Sequence, residues 1–123
     1  MKNRPVPELQ TDPEFDELIQ PREEKYLEEL EENIFDHGCL EPVCVWNGII
    51  LEGRLRYKIC TKWDIHFNIR RTMFESRDKA ISFICHEQLK RTDLTGEYKK
   101  YLIGRLFLSL IHISEPTRPI SIS

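Results

Sequence analysis

An α+β fold, a small mixed sheet with a β-hairpin packed by several helices, is what this 123-residue sequence predicts. Three observations carry that reading. Two apolar runs, Pro42-Val43-Cys44-Val45-Trp46 and Ile49-Ile50-Leu51, flank Asn47-Gly48, a pair suited to the positive φ angles of a type I′ hairpin turn. Apolar residues before and after the hairpin recur at helical spacing. Gly53 stands where the second strand must give way to a helix.

The elements follow in order. Residues 1–20 hold three prolines and few large apolar side chains, and read as an extended N-terminal arm with a short helical turn. Pro21 is placed to open a helix, because a first-turn proline loses no intrahelical bond. Glu23 and Glu24 then fall in the first turn, where the helix dipole favours negative charge. Leu27, Leu30 and Ile34 give that helix an apolar stripe over 22–36, and Gly38 ends it. The hairpin strands are apolar on both faces, so helices must cover the sheet. Past Gly53, the spacing of Leu55, Ile59 and Cys60 predicts a helix from Arg54 to Trp63. Residues 65–74 read as a strand containing Phe67, Ile69 and Arg71. Ser76 caps a helix to Leu89 with Ala80, Ile81, Ile84 and Gln88 along it. Asp93 to Thr95 turn the chain, and Thr95 caps a last helix bearing Tyr98, Leu102 and Leu106.

Composition narrows the class. Hydrophobic residues make up 40% and charged residues 32%, too apolar for a disordered chain. No apolar run approaches the ~20 residues of a membrane helix. Met1-Lys2-Asn3-Arg4 leads into proline and glutamate, not into the apolar stretch of a secretory signal. Cys39, Cys44, Cys60 and Cys85 form no C-x-x-C pair and read as reduced, buried cytosolic thiols. The net charge of −3 hides a split: residues 1–41 carry four basic residues against thirteen acidic, and residues 42–107 thirteen basic against seven acidic. The basic part suits a phosphate-bearing partner, and the acidic part suits a solvated helix face.

The stretch richest in chemistry is Ile49-Ile50-Leu51-Glu52-Gly53-Arg54-Leu55-Arg56-Tyr57. A glycine between strand and helix lets backbone approach a ligand closely. The helix start offers unpaired N–H groups to an anion, and Arg54 and Arg56 add guanidinium forks matched to phosphate oxygens.

From Leu30 to Leu94 the order of features resembles the N-terminal domain of the ParB-like group, whose fold is shared with sulfiredoxin. The matching residues are Leu30 to Ile34 before His37-Gly38, Pro42-Val43-Cys44-Val45-Trp46, Gly53-Arg54-Leu55-Arg56-Tyr57, Glu87-Gln88-Leu89-Lys90-Arg91 and Asp93-Leu94. The resemblance implies a ParB-like N-terminal domain over 21–94 and, over 95–107, the start of a truncated helix-turn-helix region. In that group a G-E-R-R-x-R-A segment cradles the phosphates of a cytidine nucleotide. Gly53, Arg56 and Tyr57 match it; Arg54 replaces its glutamate and Leu55 its first arginine. A second motif, E-N-x-Q-R, serves magnesium and phosphate, and its nearest match is His86-Glu87-Gln88 with Arg91 beyond. The resemblance thus implies a nucleotide or phosphate site of Gly53, Arg54, Arg56, Gln88 and Arg91, with Glu87 toward a magnesium ion and CTP as the nucleotide.

The function so implied is that of a DNA-partition or DNA-binding accessory protein of a plasmid, phage or similar element. It would be cytoplasmic, nucleoid- or plasmid-associated and away from membranes. Its N-terminal domain would bind CTP or mediate self-association as a homodimer. DNA would be bound through a C-terminal region, and an ATPase would be its partner. Nucleotide hydrolysis is the enzymatic activity compatible with that reading. The alternative is a small-molecule kinase-type phosphotransferase, with Glu52 as general base and Arg56 on the phosphates. Sulfiredoxin activity is set aside, since that family puts its catalytic cysteine directly after the motif glycine, where this chain has Arg54.

The segment 108–118, Leu-Ser-Leu-Ile-His-Ile-Ser-Glu-Pro-Thr-Arg, resembles residue for residue the translation of a transposon-end adapter used in sequencing libraries. On that reading native coding ends near Phe107 and residues 108–123 are a non-native tail. The recognition helix is then missing, and Lys90, Lys99, Lys100 and Arg105 offer DNA only salt-sensitive, unspecific contacts. A last helix short of partners would leave Tyr98, Leu102 and Leu106 partly exposed.

Overall fold

The computed structural model describes residues 8–114. The chain divides into two units: one runs up to Asp16 and takes in Pro21–Met73, and the other holds Glu17–Gln20 and the residues from Phe74 onward.

The first unit contains α1 (Pro13–Glu17, whose last residue belongs to the second unit), α2 (Glu24–His37), β1 (Val43–Trp46), β2 (Ile49–Glu52), α3 (Arg54–Trp63) and β3 (Ile69–Arg71). Its sheet has the order β2-β1-β3. The strands β1 and β2 form the expected antiparallel hairpin, turning at Asn47 (φ 53°) and Gly48 (φ 78°), the positive angles a type I′ turn requires. Parallel β3 lies on the other side of β1, with Val43 opposite Ile69 and Val45 opposite Arg71. Such a pair needs a long crossover, and α3 supplies it. Val43 and Val45 of β1, Ile50 of β2, Ile34 of α2 and Cys60 of α3 share one core with Cys39 and Phe67. On the alternate face of β1, the Trp46 ring lies 6.3 Å from that of Phe15, as the two-residue side-chain period of a strand dictates.

Three expectations need correction. The strand read over 65–74 is only Ile69–Arg71. Its partner β1 is four residues long, and Thr72 ends the pairing by donating both its N–H and its hydroxyl to the Val45 carbonyl. The helix expected from Pro21 begins at Glu24, after an extended Glu23. Gln20 is already committed to other bonds through its carbonyl and side chain, so the chain stays extended there. The supposed arm is built into the fold where it is described. Gln10 exchanges hydrogen bonds with Gly48 and Ile50, covering the outer edge of β2. Asp12 accepts from the N–H of Glu14 to start α1, and Phe15 and Leu18 have no exposure.

The second unit is built on α4 (Arg77–Leu89) packed against α5 (Gly96–Ser114). Both expected caps form: Ser76 Oγ accepts from the Lys79 N–H at 3.2 Å and Thr95 Oγ1 from the Tyr98 N–H at 3.1 Å. Ala80, Ile81, Ile84, Cys85 and Gln88 are buried on α4. With α4 as its partner, α5 buries Leu102 completely, so the expected exposure of that residue is corrected; Tyr98 and Leu106 are half-buried. Among the described residues no helix is long and apolar enough to cross a membrane. All four cysteines are free and buried, as expected.

Candidate phosphate site at the start of α3

The turn from β2 into α3 is made by one residue. Gly53 adopts φ 100° and ψ 21° and serves as the N-cap of α3, a conformation that side-chain-bearing residues rarely take. A Cβ there would lie 3.2 Å from Val43 Cα and 3.1 Å from Arg56 Nη2. The glycine is therefore required twice over, by its dihedral angles and by the passage of β1 beside it. The first main-chain bond of α3 runs from the Tyr57 N–H to the Gly53 carbonyl at 2.9 Å. The amides of Arg54, Leu55 and Arg56 precede it and have no acceptor within the helix.

Both arginines of the motif are held near that helix start. Arg56 Nη2 donates to the Pro42 carbonyl at 3.0 Å, latching the first turn of α3 to the entrance of β1. Its Nε is buried with no hydrogen-bond partner among the described residues. Arg54 Nε lies 3.5 Å from Asp16 Oδ1 but is likewise buried without a hydrogen bond. A buried unsatisfied donor costs about 1–3 kcal/mol. Two such donors beside free helix-start amides make a locus where an anion's oxygens fit. Glu52, directly before the glycine, accepts from the Cys44 thiol across the hairpin at 3.9 Å. Tyr57 packs edge-on against Phe67, with ring centroids 5.7 Å apart, and its hydroxyl accepts the Leu9 N–H.

The residues expected from the second motif lie in the other unit and are engaged there. Arg91 Nε and Nη2 grip the two carboxylate oxygens of Asp93 at 2.9 and 2.8 Å, and Nη1 donates to the Gln20 carbonyl at 2.8 Å and to Gln88 Oε1 at 2.9 Å. Four hydrogen bonds leave a guanidinium, with five N–H groups, little to offer a ligand. Glu87 pairs with Lys90 at 3.1 Å. Among the described residues no three His, Cys, Asp or Glu side chains are grouped as metal ligands. Lys99 and Lys100 are exposed on α5, whereas Arg105 Nη1 donates to the Tyr101 hydroxyl at 3.0 Å.

One structural cluster escaped the sequence. Gln20 receives Arg91 on its carbonyl, donates its side-chain amide to the Asp93 carbonyl at 3.1 Å and accepts the Thr95 N–H at 2.9 Å. Tyr98 adds its hydroxyl, donated to the carbonyls of Glu17 and Ile19. The Asp12-Pro13 pair, a helix cap followed by a first-turn proline, was the one signal that this segment is ordered.

A three-stranded mixed sheet whose central strand follows one helix, and whose hairpin feeds a second helix through a glycine, defines an α+β class. That architecture is the fold of a ParB-like N-terminal domain. Two solved structures of a pNOB8-like ParB N-domain share it: one at TM-score 0.67 and 18% identity over 86% of this chain, the other at 0.63 and 20% over 86%. The chain spans 43% and 40% of the length of those two. No protein-family model and no curated protein matches the sequence.

Proposed function

We propose that this chain is the N-terminal part of a ParB-like DNA-partition protein and that it holds the phosphates of a nucleotide, CTP with Mg2+, at the start of α3. The observation that carries the reading is the Gly53 turn, with two buried, unsatisfied guanidinium Nε atoms beside the free amides of α3. In this assignment the backbone after Gly53 orients the phosphate oxygens, Arg56 and Arg54 balance their charge, and the Pro42 latch keeps Arg56 in place. The nucleotide supplies the charge to which the domain responds, by self-association as a homodimer. DNA is bound through residues beyond those here, and an ATPase is the protein's partner in partition.

Isothermal titration with a panel of nucleoside triphosphates, each with magnesium, tests the assignment. The expected result is CTP binding that Gly53→Val abolishes and Arg56→Ala weakens, with circular dichroism reporting that the variants remain folded. Wild-type affinity in a folded Gly53→Val chain, or no heat from any nucleotide, overturns it.

A further inference from the structure

The sheet of the first unit is covered along one edge and open along the other. Gln10 lies beside β2, bonded to Gly48 and Ile50. Beyond β3, no described residue does the same. The ladder decides which groups are left over there. The Val43 N–H donates to the Asn68 carbonyl at 2.9 Å, and the Thr72 N–H to the Val45 carbonyl at 2.8 Å. With Val43 opposite Ile69 and Val45 opposite Arg71, the main chain of Asn68, Arg70 and Thr72 faces β1. The N–H and C=O groups of Ile69 and Arg71 therefore point away from the sheet. Among the described residues no main-chain hydrogen bond meets them. Such a row of groups is a template for another strand.

Arg70 and Arg71 are both exposed on this edge. Among the described residues neither guanidinium has an ion pair or a side-chain hydrogen bond. Because strand side chains alternate, Arg71 stands on the face of Val43, Val45 and Ile69, and Arg70 on the opposite face. The two charges thus flank the open edge, one on each side, and they decide what fits. A second copy pairing through its own β3 would bring four arginines together, which like-charge repulsion opposes. A strand with two adjacent carboxylates sends one to each face and meets both arginines. The position across from half-buried Ile69, which packs against the core, suits an apolar, β-branched side chain.

We propose that the outer edge of β3 binds an extended segment of a partner protein by strand addition, and that this segment carries two consecutive acidic residues beside an apolar one. Main-chain bonds at Ile69 and Arg71 hold the segment, and the two arginines select it. Nothing at the start of α3 takes part, so the proposal stands apart from the nucleotide assignment.

The test uses the full chain, isotopically labelled for nuclear magnetic resonance. It is titrated with an acetylated, amidated octapeptide of valine and threonine that has two glutamates at its centre. The expected result is that the Ile69 and Arg71 amides shift and become protected from hydrogen exchange, while those of Arg54 to Arg56 do not change. A peptide with lysines in place of the glutamates should not bind. Nor should an N-methylated form of the acidic peptide, which keeps the charges but lacks the N–H groups of a ladder. Arg70→Gln/Arg71→Gln, its fold checked by circular dichroism, should weaken the acidic peptide about tenfold. Unmoved Ile69 and Arg71 amides, equal binding by the N-methylated peptide, or undiminished affinity in the folded arginine variant overturns the proposal. So does protection of the same two amides without peptide that grows with protein concentration, the mark of pairing between copies.

Discussion

Replacing Gly53 by alanine separates the two demands on that position. At φ 100° and ψ 21° an L-residue pays about 1–2 kcal/mol for its backbone conformation alone. The added methyl also meets Val43 Cα at 3.2 Å, Val43 Cγ2 at 3.4 Å and Arg56 Nη2 at 3.1 Å. The guanidinium end can swing away. Val43 cannot, because it is paired to β3 and its N–H is held by the Asn68 carbonyl at 2.9 Å. Overpacking against such a neighbour costs about 1–3 kcal/mol, so the two effects together come to about 3 kcal/mol. At a urea slope of ~2 kcal/mol per molar, the unfolding midpoint should fall by ~1.5 M. Gly48→Ala is the control: its φ is 78° but nothing lies within 4 Å of the new Cβ, so it should lose only the backbone part, about 1 kcal/mol. Adding Val43→Ala to Gly53→Ala should recover little, since the closest part of Val43 is backbone. Equal costs at the two glycines, or full rescue by Val43→Ala, would refute the close-approach argument.

Other outcomes follow from the same geometry. Arg91→Lys should destabilise the second unit by about 2–3 kcal/mol in thermal unfolding, because a lysine cannot reproduce the bidentate grip on Asp93 together with the Gln20 and Gln88 bonds; amide exchange at Glu17–Gln20 should quicken with it. Burial first, and then its neighbours Tyr101 and Glu17, raise the Tyr98 phenol above its ordinary 10.0. Its neutral form is therefore the stabilising one: the contribution is complete below pH ~10 and is lost as pH rises through the folded value, a loss that Tyr98→Phe should abolish in melting curves. A chain ending at Phe107 gives up the exposed His112–Asp78 pair and buried Ser109, so it should melt within about 1 kcal/mol of the parent. It should also associate less in sedimentation, having lost exposed Leu108, Leu110 and Ile111. On DNA, anisotropy titrations at two salt concentrations should show weak binding that falls steeply with salt and ignores sequence.

The parts of the fold legible in the sequence were those fixed by local chemistry. Asn47-Gly48 dictates its own turn, Ser76 and Thr95 cap their helices with their own hydroxyls, and Gly53 marks a change from strand to helix that few other residues permit. What escaped was set by distant partners. The length of β3 is decided by β1, whose paired residues lie 26 positions away in sequence, Val43 opposite Ile69 and Val45 opposite Arg71. The order of residues 9–20 is decided by Gly48, Arg91, Asp93 and Tyr98. A segment rich in proline and poor in apolar residues gives no hint of such bonds when read alone. The same limit applied to Arg91, whose charge and position read as phosphate chemistry but whose guanidinium is filled by Asp93, Gln20 and Gln88.

Arg56 illustrates why a motif arginine carries two meanings at once. Its Nη2 secures the Pro42 carbonyl, so the residue helps define the loop between α2 and β1 before any ligand is present. Its Nε is left buried and unsatisfied, a cost of about 1–3 kcal/mol that the fold carries in the free state. Arg56→Lys distinguishes the two roles, because a single ammonium can reach the Pro42 carbonyl but cannot also present a second, fixed donor. If the arginine is only a latch, the lysine chain should unfold at nearly the parent's urea midpoint and nothing else should change. If the idle Nε is reserved for a phosphate oxygen, the lysine chain should be as stable as the parent, or more so, yet bind nucleotide more weakly. A stable lysine variant with undiminished affinity would leave Nε with no part in binding and return the whole residue to structure.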